Sequence, residues 1–277
     1  MKTTIIACTL LVASAAYADA FDGTHDITRV FDTNISDGVT LESSSDTLAV
    51  STSDGVSYAV EMNASGQTAD WSMARSGDLL SLTPQPTSFD GWTLCNSYMF
   101  SDGVNRAFLM MGQEAEDATD ISISVAGWAD AAGPVALSDL VGEWRMQTVE
   151  NWNLRSDPHE PFMSNTRSVT ISDADNGQAT VGIELTSDEG IQYLLMDFDG
   201  NIFTPAEQPD YVDLHHLAIY TDGQGLALTR IASELDDATD VSAAIGLGQP
   251  IPEPTSLSLL PAGVMLLAAR RRRRGRC

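Results

Sequence analysis

Residues 101–125 read SDGVNRAFLMMGQEAEDATDISISV, and residues 221–245 read TDGQGLALTRIASELDDATDVSAAI. At a fixed offset of 120 they are identical at nine positions: Asp102/Asp222, Gly103/Gly223, Ala107/Ala227, Glu114/Glu234, Asp117/Asp237, Ala118/Ala238, Thr119/Thr239, Asp120/Asp240 and Ser122/Ser242. Ordinary composition would give roughly two by chance. Each copy carries an Asp-Gly turn, an apolar run, an acidic stretch ending in Asp-Ala-Thr-Asp and a second apolar run. Asp-Gly tolerates the positive φ of tight hairpins, so apolar runs flanking it read as paired strands. Self-similarity over this distance marks a duplicated structural unit.

Working outward, Phe21-Asp22-Gly23-Thr24-His25 sits opposite Leu140-Val141-Gly142-Glu143-Trp144, near the start of each copy. Ala131-Ala132-Gly133-Pro134 forms the joint. Between these points both halves are short β candidates punctuated by turn signals. Ser53-Asp54-Gly55, Ser76-Gly77-Asp78, Asp175-Asn176-Gly177 and Asp199-Gly200-Asn201 are examples. Trp71 and Met73, and Tyr193 and Leu195, alternate with polar residues as one face of a strand does. Strand spacing near ten residues implies antiparallel barrels or sandwiches. The expected fold is all-β, with β domain 1 over 21–130 and β domain 2, its repeat, over 136–248. Glu234-Leu235-Asp236-Asp237-Ala238, with its counterpart at 114–118, reads as a single helical turn.

The two ends have a different grammar. Lys2 precedes an apolar run at 5–16, and small residues at Ala16, Ala18 and Ala20 follow. That is the layout of a signal peptide over 1–20, cut by signal peptidase after Ala18 or Ala20. The run is too short to span a bilayer, which takes about 20 residues. At the other end, 249–277, Pro252-Glu253-Pro254 precedes an apolar stretch at 257–269 and then Arg270, Arg271, Arg272, Arg273 and Arg274. Pro252 and Pro254 bar regular pairing and keep that segment extended. The short apolar helix can enter a membrane, and the arginines hold its end on the cytoplasmic side.

This three-part tail resembles the PEP-CTERM sorting signal of Gram-negative bacteria. The resemblance implies cleavage near Pro252-Glu253-Pro254 by an exosortase-type membrane protease, after transient inner-membrane anchoring. It also implies delivery to the cell surface or medium and association with exopolysaccharide. Cys277, beyond the arginines, departs from the usual ending.

Removing the two ends changes the charge. Of 14 Lys and Arg, six lie in the tail and one is Lys2, leaving seven arginines and no lysine; without Asp19 and Glu253, 37 of 39 acidic residues remain. The body carries 7 − 37 = −30. Such a charge repels phosphates and excludes nucleic acid as a partner.

Within the body the chemistry is sparse. Cys95 is its only cysteine, in the apolar context Trp92-Thr93-Leu94-Cys95, and reads as a buried small hydrophobe. His215 and His216 are adjacent in a strand candidate; adjacent strand residues face opposite sides, so they are not expected to share a metal. Asp173/Asp175 and Asp197/Asp199 sit beside glycine turns. They read as turn formers, with calcium as the alternative reading. No metal and no other cofactor is expected. Nucleophile elbows, metalloprotease motifs, phosphate loops and nucleotide fingerprints are all missing, so no catalytic residue is assigned. Gly142-x-Trp144 in a first strand, with Arg230 in a late strand, resembles the Trp–Arg pair of lipocalins and other calycin barrels. That likeness implies a ligand-binding barrel in the second half; the first half carries His25 and Met110 at the matching places. The leading functional expectation is a non-enzymatic envelope or matrix protein. A small-ligand or carbohydrate-binding barrel is the alternative, with Trp71, Trp92, Trp128, Trp144 and Trp152 as stacking candidates; an extracellular hydrolase comes third.

Overall fold

A computed structural model describes residues 19–251, apart from 65, 84–87, 90, 155–157, 176 and 185–189. The signal segment including Ala18, and the tail with Pro252, Glu253, Pro254 and Arg270 to Arg274, lie outside the described residues. Seventeen strands and two short 3₁₀ turns make up the described secondary structure. In the first half these are β1 (Gly23–Asp32), β2 (Glu42–Thr52), β3 (Ser57–Ala64), β4 (Gln67–Ser76), β5 (Leu79–Leu82), β6 (Ser88–Phe89), β7 (Trp92–Ser101), β8 (Asn105–Glu114) and β9 (Ile121–Ala129). The second half has β10 (Gly142–Asn151), β11 (Met163–Asp173), β12 (Gln178–Glu184), β13 (Ile191–Phe198), β14 (Ile202–Pro205), β15 (Asp213–Thr221), β16 (Leu226–Ser233) and β17 (Val241–Pro250).

Every pairing is between antiparallel neighbours, and both sheets close on themselves. In the second half β17 returns to pair with β10. In the first, β9 returns to β1 and β5 pairs with β7, with two-residue β6 as an appendage. Two eight-stranded barrels result, and closure removes the exposed sheet edges a sandwich would keep. Alternation selects the inner face. In β3, Tyr58, Val60, Met62 and Ala64 are buried and their neighbours exposed. Ala69, Trp71 and Met73 do the same in β4.

The repeated residues build the same turns twice. Asp102 Oδ1 accepts from the amides of Val104 (2.9 Å) and Asn105 (2.7 Å); Asp222 Oδ1 accepts from Gln224 and Gly225, both at 2.9 Å. Asp117 and Asp237 each accept from the amide and hydroxyl of the threonine two residues on. The segment read as a helical turn is therefore a side-chain-braced hairpin turn, because Asp and Thr offer the backbone closer partners than a helix does.

The barrels pack side by side. β8 contacts β17 and β9 contacts β16, so equivalent strands meet in a crossed, two-fold-like pattern. One core spans the junction, from Phe100, Leu109 and Ile123 of the first barrel to Ile231, Ala243 and Ile245 of the second. This is why β8 is buried on both faces: Phe108 fills its own barrel while Ala107, Leu109 and Met111 fill the junction. The loops after β1 and β10 contribute Ile35 and Leu154 to the same core. At one end the two Asp-Gly turns clasp: Asn105 Nδ2 donates to Asp222 Oδ1 (2.9 Å), and the Asp222 amide donates to Asn105 Oδ1 (3.0 Å).

That end is closed in each barrel. Phe21 and Leu140, both fully buried, plug the two bases. Trp144 Nε1 donates to the Leu140 carbonyl at 3.0 Å, and the His25 ring lies beside the backbone of Phe21, also four residues earlier. His25 thus takes the place of Trp144, and the loose correspondence between the two starts is structural. Burial, and then the Arg106 charge, hold the His25 pKa below its ordinary value.

Candidate ligand cavity in the first barrel

Opposite the closed ends are the mouths, where β1, β3 and β8 finish and β2, β4, β7 and β9 begin. The first barrel holds a cavity of about 270 Å³ here, roughly nine waters' worth of liquid volume. Met62, Trp71, Trp92, Leu94 and Met110 form its apolar wall, and the exposed Thr33 and Gln67 lie at its rim. It is small for a ligand site but has the usual makeup, a mostly apolar lining with few polar groups.

The polar groups are specific. Arg29 projects inward from β1, and its Nε contacts Asp46 Oδ2 of β2 at 2.6 Å. Asp46 has a fully buried side chain; its Oδ2 also accepts from Ser44 Oγ at 2.7 Å, while Oδ1 has no partner among the described residues. The Arg29 guanidinium lies 4.2 Å from the Phe31 ring centroid and donates through Nη1 to Ser124 Oγ at 3.3 Å. Asp46 pairs with its charge, and the buried Asp32 carboxylate on the same lining accepts from the amides of Asn34 and Thr40. Trp71 packs on Phe108, with ring centroids 6.2 Å apart, and its buried Nε1 has no partner among the described residues. An apolar ligand carrying one hydrogen-bond acceptor matches this wall.

The second barrel's mouth is plugged. Arg230 stands at the position equivalent to Met110, with Trp152 beneath its guanidinium at 4.7 Å. Buried Glu150 accepts from Asn165 Nδ2 and Arg167 Nη2. About 50 Å³ remains. The pairing drawn from the calycin likeness does not form. Arg230 is opposite Ala244, and Ala244 opposite Glu150, six residues along β10 from Trp144. At about 3.3 Å per residue that is roughly 20 Å. Trp144 closes the base of the barrel and Arg230 fills its mouth.

The remaining candidates fall as follows. A β-bulge between Leu214 and His216 breaks the alternation in β15, so both imidazoles point out of the barrel: His215 to Ser233 Oγ and His216 to Thr229 Oγ1, each at 2.9 Å. The expectation of opposite faces fails because a bulge adds one residue to one strand. The equivalent bulge in β7 holds Cys95, which is 9% exposed, with Sγ 3.9 Å from His159 Nε2. Asp173 and Asp197 brace hairpins, accepting from the Asp175 amide and Gln178 Nε2. Among the described residues no three His, Cys, Asp or Glu side chains converge on a metal position. Nor is any helix among them long and apolar enough to cross a membrane. Trp128 packs against His25 at the closed base, so the five tryptophans form no common surface. Sequence reasoning missed Arg29, Asp46 and the open mouth; their one signal was Met110 where the other copy has arginine.

No family model and no curated protein matches the chain. Among solved structures, a DUF3598-family protein of unknown function from Nostoc punctiforme aligns with TM-score 0.35 at 14% identity, over 84% of this chain and 98% of that one. A candidate outer membrane protein from Bacteroides fragilis aligns with TM-score 0.27 at 8% identity, over 83% and 97%. Both likenesses are too distant to bear on function.

Proposed function

We propose that this chain is an exported, non-enzymatic binding protein of the cell envelope whose first barrel carries a small, uncharged, largely apolar ligand. The observation that carries the reading is the cavity of about 270 Å³ bounded by Trp71, Trp92, Met62 and Met110. The wall holds no activated nucleophile, and its one ion pair is internal. Export and sorting rest on the signal segment and on Pro252-Glu253-Pro254 with its apolar stretch and arginines. Signal peptidase and an exosortase-type protease are the proposed processing partners, with exopolysaccharide as the proposed surroundings.

The test of binding is titration of the secreted protein with a neutral naphthylamine probe, followed by energy transfer from tryptophan. One probe per chain is expected. Ala69→Leu, which pushes a larger side chain from the wall into the cavity, is expected to weaken binding at least tenfold. No saturable binding, or equal binding by the variant, would refute a ligand in the first barrel. Deleting 252–277 tests sorting separately: unchanged surface delivery and processing would refute that part.

A further inference from the structure

The mouth of the second barrel holds a guanidinium that no carboxylate pairs with directly. Arg230 is half-buried with its Nε enclosed, and no carboxylate lies within ion-pair distance of it among the described residues. The nearby carboxylate, Glu150, is taken by Arg167 and Asn165. Glu184 also lines the cavity, half-buried, and accepts from the Ser168 amide. Arg230 Nη2 donates to Ser242 Oγ at 3.0 Å and its face rests on Trp152, but its Nε–H finds no acceptor. Thr148 Oγ1, buried on the same small cavity, is also without a partner. Burial pushes the Arg230 pKa below its ordinary value. Arginine nevertheless stays protonated in proteins, so the site keeps its positive charge.

A partly buried guanidinium without a direct ion pair is costly, and two enclosed unpaired donors on one cavity add to the cost. Both penalties are relieved by one body that is negative, accepts hydrogen bonds and fits about 50 Å³. We infer that the mouth of the second barrel binds one small monovalent anion, a halide or a short carboxylate, between Arg230 Nε and Thr148 Oγ1. The body's charge of −30 does not forbid this. Charges beyond about 8 Å are largely screened at physiological salt, whereas Arg230 acts at contact. The site is independent of the first barrel's cavity, where the arginine already has Asp46.

The test is chloride line broadening by ³⁵Cl NMR on the secreted protein, with thermal unfolding as a second readout. Excess broadening is expected, titrating to one site per chain. Arg230→Met should abolish it; this installs the residue the first barrel uses at the same place, so the barrel should still fold. Should that variant fail to unfold cooperatively, Thr148→Val carries the test, with at least a fivefold loss of chloride affinity expected. Displacement of chloride by formate would extend the site to carboxylates, and no displacement would assign it to halide. In unfolding, chloride should raise the midpoint of the wild type more than that of Arg230→Met at equal ionic strength. Absence of excess broadening, or equal broadening in both variants, would mean the pocket holds only water and would overturn the inference.

Discussion

Gly127, on β9, is one of the tightest contacts between the barrels. A Cβ there would lie 2.4 Å from Tyr220 Cε2, 2.6 Å from Cδ2 and 3.1 Å from Thr229 Cγ2. Carbon atoms rest at about 3.5–4.0 Å, so Gly127→Ala must drive the Tyr220 ring back by about 1 Å. The ring packs against the shared core and has little room to retreat. Overpacking of this kind costs about 1–3 kcal/mol. At about 2–4 °C per kcal/mol for a chain of this size, the unfolding midpoint should fall by about 2–12 °C. Calorimetry should show a single transition in both proteins, since one apolar core serves both barrels. The cost should nearly vanish in a Tyr220→Ala background, where the obstructing ring is gone; a double-mutant cycle isolates that coupling. A midpoint unchanged by Gly127→Ala, or an equal loss with and without Tyr220, would refute the packing of these barrels as one body.

Two further outcomes follow from side chains at the junction and the first base. Burial lowers the His216 pKa to about 4 from 6.5. As pH falls the unfolded chain takes that proton first, so the contribution of neutral His216 is intact above about pH 6.5 and is lost on descending to about 4, amounting to about 3 kcal/mol. Denaturation in urea at pH 7 and pH 4 should show His216→Asn, which installs the first barrel's equivalent Asn96, losing about 3 kcal/mol less than the wild type over that interval; parallel losses would contradict it. The second outcome concerns the mature N-terminus. Asp19 accepts from Tyr58 Oη at 2.7 Å and pairs with Arg75 Nη1 at 2.9 Å, while the Ala20 carbonyl accepts from Ser101 Oγ. Cleavage after Ala20 would discard Asp19 and leave Arg75 without its carboxylate. N-terminal sequencing of the secreted protein should therefore begin at Asp19, and a chain beginning at Phe21 would count against it.

Much of the architecture was legible because turns are local. Asp-Gly and Asp-Ala-Thr-Asp contain both the backbone amides and the side-chain acceptors that brace them, so repetition of the letters meant repetition of the hairpins. Closure into barrels was not local. It depends on β9 finding β1 about a hundred residues earlier, and a sandwich would display the same alternation. The histidine pair was misread because a bulge is invisible in side-chain chemistry; Leu214-His215-His216 differs from regular strand by a single inserted residue. The Trp144–Arg230 analogy failed on register, which a sequence does not carry between β10 and β16. The cavity was beyond reach for a related reason: Arg29, Asp46, Trp71 and Met110 come from four strands, and their convergence exists only after closure.

The positions at which the copies agree explain why the fold is duplicated and the site is not. Eight of the nine identities are turn residues or, as with Ser122 and Ser242, hydroxyls bonded to the facing strand's carbonyl. Ala107 and Ala227 lie in the junction, where equivalent strands cross and a larger side chain on either would part the barrels. Along the inner face of β8 and β16 the pairs are Arg106/Leu226, Phe108/Leu228, Met110/Arg230 and Gly112/Ala232, and none is identical. Backbone geometry and the junction constrain both copies at once, because each barrel packs on its counterpart. The interiors are constrained only by volume, and different residues fill the same volume. At 110/230 one copy places an apolar side chain and the other a charged one, so the first mouth keeps a cavity of about 270 Å³ and the second about 50 Å³ within the same frame.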